Sequence, residues 1–438
     1  MQTLFEERVP ATVAVTFTIE REVDREDRRA YGTVLNDEGL IILNAGEIPN
    51  WLPPDQLKDV RVHLPGADDD GHPAEYLGPQ LAYGWHYIRA PQAIRDQLTP
   101  ITAFPTATVR LGDPIWGIGL LDAELNSQPY LLRSELALVQ QLPEPVGFTP
   151  SEVASPGLPV FNLAGAFVGF ARTGSPGEYR LFMRGQSYNV GLMSRNESTV
   201  ILMAEPFLEA SGKPPADPVG DPRPWIGVTG LQPLEKDTAR YLGLDDQGAI
   251  VISDVLAGGP AAEAGVRGGD ILVGLNGDPL PKYTPDWVTR VWLEQALARA
   301  TIGEPLGISV VRGEEPEPLE LTLVPQESPD TLREAERTWL PDLGLTVREF
   351  TVLDALNQRI LKIGVTGAVV NYVRPNSPAA TAGLRGGDWI REIGAETIET
   401  YEQAVARFEA LSDQEGVEEI VVLVQRTNET EVLRIKLD

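Results

Sequence analysis

The 438-residue chain has no cysteine, only three histidines and only four methionines. The absence of cysteine excludes disulfides, thiolate chemistry and zinc sites built on Cys. It fits either side of a bacterial membrane. No run of 18 or more apolar residues occurs, so no helix is expected to span a bilayer. Basic residues are scarce as well: 36 Lys and Arg face 64 Asp and Glu, for a net charge of −28. That balance argues against nucleic acid and against anionic membrane surfaces, both of which attract basic patches. The first residues, Met1 to Arg8, lack an apolar h-region and do not read as a signal peptide, although a leader replaced by Met would look the same.

The remaining composition is ordinary for globular protein, with 42% hydrophobic and 23% charged residues. The length suggests about three domains. From Ala11 to about residue 208 the chain reads as short strands bounded by Gly, Pro, Asp or Asn. These are Ala11 to Ile19, Tyr31 to Val34, Gly39 to Leu43, Val60 to Leu64, Trp85 to Ile88, Ile115 to Leu120, Tyr130 to Gln140, Leu158 to Phe161 and Ala166 to Ala171. Evenly spaced strands of this kind suit an all-β barrel pair or sandwich. Residues 211–222 form a Pro/Gly/Asp-rich linker, and a second break near Pro325 to Asp330 precedes a short helical pattern, Thr331 to Trp339.

The rest of the chain is a duplication. Pro260-Ala-Ala-Glu-Ala-Gly-Val-Arg-Gly-Gly-Asp270 returns as Pro378-Ala-Ala-Thr-Ala-Gly-Leu-Arg-Gly-Gly-Asp388. Each copy follows an apolar glycine turn, Ile226-Gly227-Val228 or Leu343-Gly344-Leu345, and a Gly-Ala-Ile-Val or Gly-Ala-Val-Val strand at 248 or 367. The spacing is too long for a solenoid, whose repeats run to about 20–50 residues, so one module has been copied. Each copy carries one amphipathic helix. The first is expected over about Pro285 to Ala300, with Thr284 as N-cap and Pro285 at the first helical position. The second follows Thr400, with Tyr401, Val405, Phe408 and Leu411 at helical spacing.

These motifs resemble tandem PDZ domains of the bacterial order. The resemblance implies that peptides or C-termini of other proteins, including unfolded chains, add as a strand to a sheet edge. The implied peptide-binding residues are Trp225, Ile226, Gly227, Val228, Trp287 and Val291 in the first module, and Leu343, Gly344, Leu345 and Val405 in the second. Asp342 stands in the second turn where the first has Trp225, so repulsion of a peptide carboxylate is expected there.

A β-rich body followed by two such modules resembles the HtrA-type, trypsin-like serine proteases. The expected fold is therefore mainly β: a degenerate double-barrel protease domain over 1–210, a linker over 211–222, and α+β PDZ domains over 223–328 and 329–438. The family's catalytic His, Asp and Ser frames match Leu43-Asn44-Ala45-Gly46, Gly84-Trp85-His86 and Ser155-Pro156-Gly157, which place Gly46, Gly84 and Pro156 at the three positions. The triad needs all three groups, and proline also lacks the N–H that an oxyanion hole uses. The expectation is a pseudoprotease that binds peptides as a scaffold, adaptor or chaperone-like protein, with no catalytic residues, cofactor or metal. The alternative is an active serine endopeptidase with a displaced triad, with Ser155 and His86 as a dyad. A further reading has the PDZ grooves filled by the chain's own segments. His63 reads as structural, and His72 beside Asp68, Asp69 and Asp70 as a solvated loop. The family resemblance also implies a periplasmic or extracytoplasmic setting and a homo-oligomer built on N-terminal aromatics, for which Phe5 is the candidate. The charge of −28 opposes close self-association.

Overall fold

The computed structural model describes residues 1–44, 46–80, 84–141, 143–173, 179–183, 186–190, 200–204, 208, 211–313, 317–427 and 429–437. The chain forms two compact units. One comprises Met1–Glu20 and Arg25–Asp221, the other Arg21–Asp24 and Pro222–Asp438.

The first unit contains two seven-stranded antiparallel sheets. In one, Thr12–Glu20 lies between Leu57–His63 and Arg25–Val34. Its alternating Val13, Val15, Phe17 and Ile19 fill that sheet's core, while Ala14 joins the core of the other sheet. The connectivity forces this sheet to curl. His72–Pro73 and Glu75–Gln80 sit at its opposite edges yet only Ala74 separates them in sequence. Seven flat strands at about 4.8 Å spacing would put those edges nearly 30 Å apart, beyond the reach of one residue. The second sheet shows the same closure, with Pro129–Glu135 at one edge and Leu138–Gln141 at the other. The expected single strand Tyr130 to Gln140 is thus two. Leu136 N–H donates to the Asp113 carbonyl at 3.0 Å and Ala137 N–H to the Phe148 carbonyl at 2.8 Å, so the chain changes partner at this corner. The two sheets meet through Leu40, Ile42, Trp85 and Tyr87 from one and Phe161, Phe167 and Phe170 from the other. Phe5 packs against the core of the second sheet. Its helix, Gln2–Arg8, is tied down by Arg8 Nε donating to the Gly165 carbonyl at 3.0 Å.

The second unit holds the two copied modules. Each has its own antiparallel sheet and its own core, one around Ile250, Leu272, Leu293 and Val310, the other around Leu345, Val370, Ile390 and Phe408. The repeated Gly-Gly-Asp ends in a clamp. In the first module Arg312 Nε and Nη2 each reach the buried Asp270 carboxylate at 2.8 Å, and Arg267 N–H donates to it at 2.8 Å. In the second, Arg426 holds Asp388 at 2.6 and 2.7 Å, with Arg385 N–H at 3.0 Å.

Two sequence expectations change here. The first helix spans Trp287–Ala298 with Asp286 at the N-cap, not Thr284. The Thr289 hydroxyl accepts from Tyr283 N–H at 3.3 Å and donates to the Pro281 carbonyl at 3.2 Å, holding the preceding segment off the helix axis. The helical pattern at Thr331 to Trp339 is also overridden. Arg337–Leu340 is a strand paired with Leu345–Glu349, a tertiary contact that suits Thr338 and Trp339. The second helix, Tyr401–Ser412, begins where expected, with a capping box between Thr400 and Gln403.

Beside that strand pair, Arg348 and Asp354 form a buried ion pair at 2.6 Å. Burial raises the Asp354 pKa, but Arg348 and the Thr351 donors outweigh it and hold the carboxyl below its ordinary value. A depressed folded-state pKa gives stability that is present above the usual carboxylate range and lost as pH falls through it. Urea unfolding of the second module should therefore need less denaturant on going from pH 7 to pH 3, and Asp354→Asn should flatten that dependence. Arg348→Met, which strands the carboxylate, should cost about 3–5 kcal/mol at neutral pH.

Candidate peptide groove and protease-frame site

The first module's turn is held from behind. The Ile226 carbonyl accepts from Ala261 N–H and the Gly227 carbonyl from Leu256 N–H, both at 2.9 Å. A trans peptide unit points its N–H opposite its C=O. The N–H of Gly227 therefore faces away from the helix Pro260–Glu263 and that of Val228 away from Leu256, as an anion-holding loop requires. Gly227 has φ +77°, and a Cβ there would lie 3.3 Å from Gly259 Cα and 3.2 Å from the Trp225 ring. Only glycine fits without strain.

Beyond the turn, Val228–Thr229 pairs with Asp254–Val255, and Gln232–Pro233 with Ile250–Val251. Among the described residues no strand pairs with the other edge of 228–233. Ile226, Val228 and Leu231 line a narrow apolar cavity of about 10 Å³ with Leu293 and Leu297 of the helix, continuous with the module's core. Of the residues expected from sequence, Trp225 covers the turn and pairs with Gln326. Trp287 is exposed at the helix start, and Val291 is half-buried. At 100° per residue Val291 lies about 160° round the helix from Leu293. Leu293 and Leu297 are cavity-lining residues that the sequence reading missed. The i, i+4 spacing of Leu293 and Leu297 was the available signal.

In the second module Leu343, Gly344 and Leu345 are buried in the turn and the strand after it, and Val405 packs half-buried against the core. Asp342 is exposed in the turn.

The body's three frame positions are also placed. Gly46 is exposed after strand Leu40–Asn44, with open space around a built Cβ. Gly84 precedes strand Trp85–Arg89 with φ +68°. Pro156 stands in the turn before Pro159–Asn162. Ser155 is buried, and its hydroxyl accepts from Leu120 N–H at 3.1 Å and contacts the Tyr130 phenol. His86 Nδ1 shares a 2.8 Å hydrogen bond with Tyr76, and His63 Nε2 one of 2.8 Å with Thr16. The structure thus gives Ser155 and His86 different partners rather than joining them as a dyad. His72 lies 3.4 Å from Asp69, and among the described residues no group of three or more acidic, His or Cys side chains is arranged to hold a metal.

The PDZ domain family matches residues 251–290 and 369–426. A protein of Ectopseudomonas mendocina (strain ymp) named "Probable periplasmic serine endoprotease DegP-like" is 29% identical over 266 residues, 58% of this chain and 50% of that protein. One of the same name from Brucella suis biovar 1 (strain 1330) is 28% identical over 179 residues, 41% of this chain and 32% of its own length. Over those stretches the chain is similar to DegP-like serine endoproteases. The match spans about half or less of those relatives' length. Among solved structures, HtrA-type protease AlgW with a tripeptide has a TM-score of 0.53 at 17% identity, covering 76% of this chain and 98% of that one. AlgW with a decapeptide gives 0.51 at 16% identity, covering 75% and 99%. These likenesses bear on the fold, which is the expected trypsin-like body followed by PDZ domains.

The names of these relatives also correct the expectation that this chain is not an enzyme. The matched relatives are named serine endoproteases and the solved neighbours are named proteases. No observation on this chain shows that activity has been lost. The expectation rested on three short frames. Residue 45 and residues 81–83, which adjoin two of them, lie outside the described residues, and a serine stands beside Pro156.

The groove geometry makes a direct prediction. Gly227→Ala introduces a side chain at positive φ against Gly259, so the turn must shift. Calorimetric titration should show the affinity for a C-terminal peptide falling about tenfold or more, equivalent to about 1.4 kcal/mol.

Proposed function

We propose that this HtrA-type chain captures extended polypeptide segments, C-termini above all, in the groove of its first PDZ module. The observation that carries the reading is the edge of strands Val228–Thr229 and Gln232–Pro233, with which no further strand pairs among the described residues, bounded by a turn with outward N–H groups and a narrow apolar cavity. Strand addition supplies backbone hydrogen bonds, and the pocket selects an apolar last residue. The solved HtrA-type neighbours with a tripeptide and a decapeptide support the same use of the fold. The partners are peptides or unfolded proteins. The relatives' names support an extracytoplasmic setting.

Free-acid peptides ending in Leu or Val should bind the full chain with micromolar affinity, and amidating the terminus should weaken binding about tenfold. Competition titrations with acid and amide forms check this. Equal affinities would remove the carboxylate-holding role of Gly227 and leave capture of internal segments.

A second reading, favoured by the relatives' names, adds serine endopeptidase chemistry in the body. Ser155 supplies the hydroxyl nearest the family's nucleophile frame. On this reading a fluorophosphonate probe labels Ser155, and turnover of unfolded casein survives repurification and vanishes in Ser155→Ala. A chain with neither labelling nor turnover defeats it without touching peptide capture.

A further inference from the structure

The two modules share a turn but not a vacant edge. In the second, Leu345–Glu349 pairs on one side with Ala368–Val373. On its other side it pairs with the chain's own Arg337–Leu340, through Leu340↔Leu345, Trp339↔Thr346, Thr338↔Val347 and Arg337↔Arg348. The edge that receives a peptide in the first module is here already used.

The filling strand has the polarity of a C-terminal ligand. It runs antiparallel to the receiving strand, and its last residue, Leu340, lies opposite the residue that follows the turn glycine. Leu340 is 7% exposed and packs into the module core as an anchor residue would. Side chains two apart share a face, so Thr338 points with Leu340, and its hydroxyl shares a hydrogen bond with Tyr401 at the start of the helix Tyr401–Ser412. Trp339 takes the opposite face, beside Tyr372 at 6.4 Å and beneath the Arg374 guanidinium at 5.7 Å.

The anion position is filled too. The Leu343 carbonyl accepts from Ala379 N–H at 3.1 Å and the Gly344 carbonyl from Arg374 N–H at 2.8 Å, repeating the arrangement behind Gly227. The outward Gly344 N–H then donates to the Pro341 carbonyl at 3.2 Å, and Arg374 Nη2 donates to the same oxygen at 3.3 Å. A neutral carbonyl one residue past the anchor stands where a terminal carboxylate would be held.

We propose that Arg337–Leu340 is a built-in ligand of the second PDZ module. The groove it fills takes, once vacated, free C-termini that end in an apolar residue with Thr or Ser two positions earlier. The proposal rests on the reading of these modules as strand-adding grooves. A segment tethered by the short turn 341–344 competes at an effective concentration of about a millimolar or more. A peptide offered at micromolar concentration therefore reaches the first module and not the second. The cause is the occupied edge; the Asp342 charge, exposed in the turn, is not needed to explain it.

The test uses the full chain and a free-acid peptide ending Arg-Thr-Trp-Leu, with a photo-crosslinker at its N-terminus. Cross-links in the wild-type chain should map to residues 223–328 alone. In Leu340→Asp, which expels the anchor, cross-links to residues 329–438 should rise at least about tenfold. Equal cross-linking of both modules in the wild type overturns the proposal. So does a cooperatively folded Leu340→Asp variant with no cross-links in 329–438. If that variant does not fold, Thr338→Val removes only the hydroxyl contact to Tyr401. It should speed hydrogen exchange of amides 345–348 several-fold and admit the peptide, and no change in either overturns the proposal. Loss of cross-links in 223–328 while Leu340→Asp gains them in 329–438 would defeat the first-module reading alone.

Discussion

In both modules the architecture hangs on a buried carboxylate gripped by one arginine. Asp270 and Asp388 are almost wholly removed from water, and each accepts two guanidinium bonds and a backbone N–H. A lone charge in such a place would be costly, so pair and fold are inseparable. The same arginine also donates to the carbonyl of Gly265 or Gly383, within two residues of the end of the short helix Pro260–Glu263 or Pro378–Ala382. That helix supplies the N–H that pins the carbonyl of Ile226 or Leu343. A continuous series of bonds thus runs from the clamp through the helix to the turn. The outward direction of the turn's N–H groups is a consequence of the clamp.

Much of this was legible in the sequence because it is local. The duplicated Pro-to-Asp block, the positive-φ glycines and the alternating β-branched strands all state their conformation within a few residues. The Arg partners were not legible, since Arg312 and Arg426 lie 42 and 38 residues from the aspartates they hold. The pocket face of the first helix was misread for a related reason. Periodicity marks Trp287, Val291, Leu293 and Leu297 as apolar, but only packing against Ile226, Val228 and Leu231 decides which of them face the pocket. In the body, strand positions were readable while the strand partners at Leu136 and Ala137 depended on the curl of the sheet.

The clearest divergence concerns Arg337–Leu340. Its sequence follows helix-compatible residues from Thr331 onward, and no local signal says that it will enter a groove. The sequence difference Trp225 against Asp342 drew attention to charge, whereas the structural difference is occupancy. The first turn is preceded by Pro224–Trp225 pairing with Gln326–Glu327; the second is preceded by a strand that folds back on its successor. Duplicated modules with equivalent turns have thus been given unlike edges by the few residues before each turn.

The hairpin Arg337–Leu340 to Leu345–Glu349 also orders events in time. Hairpins close in microseconds, while residues emerge from the ribosome at about 5–20 per second. The helix Tyr401–Ser412, which walls the far side of this groove, is made well after both strands. Both strands precede the helix in the chain, so the occupant reaches its place by closing a short hairpin and needs no opening of the finished groove.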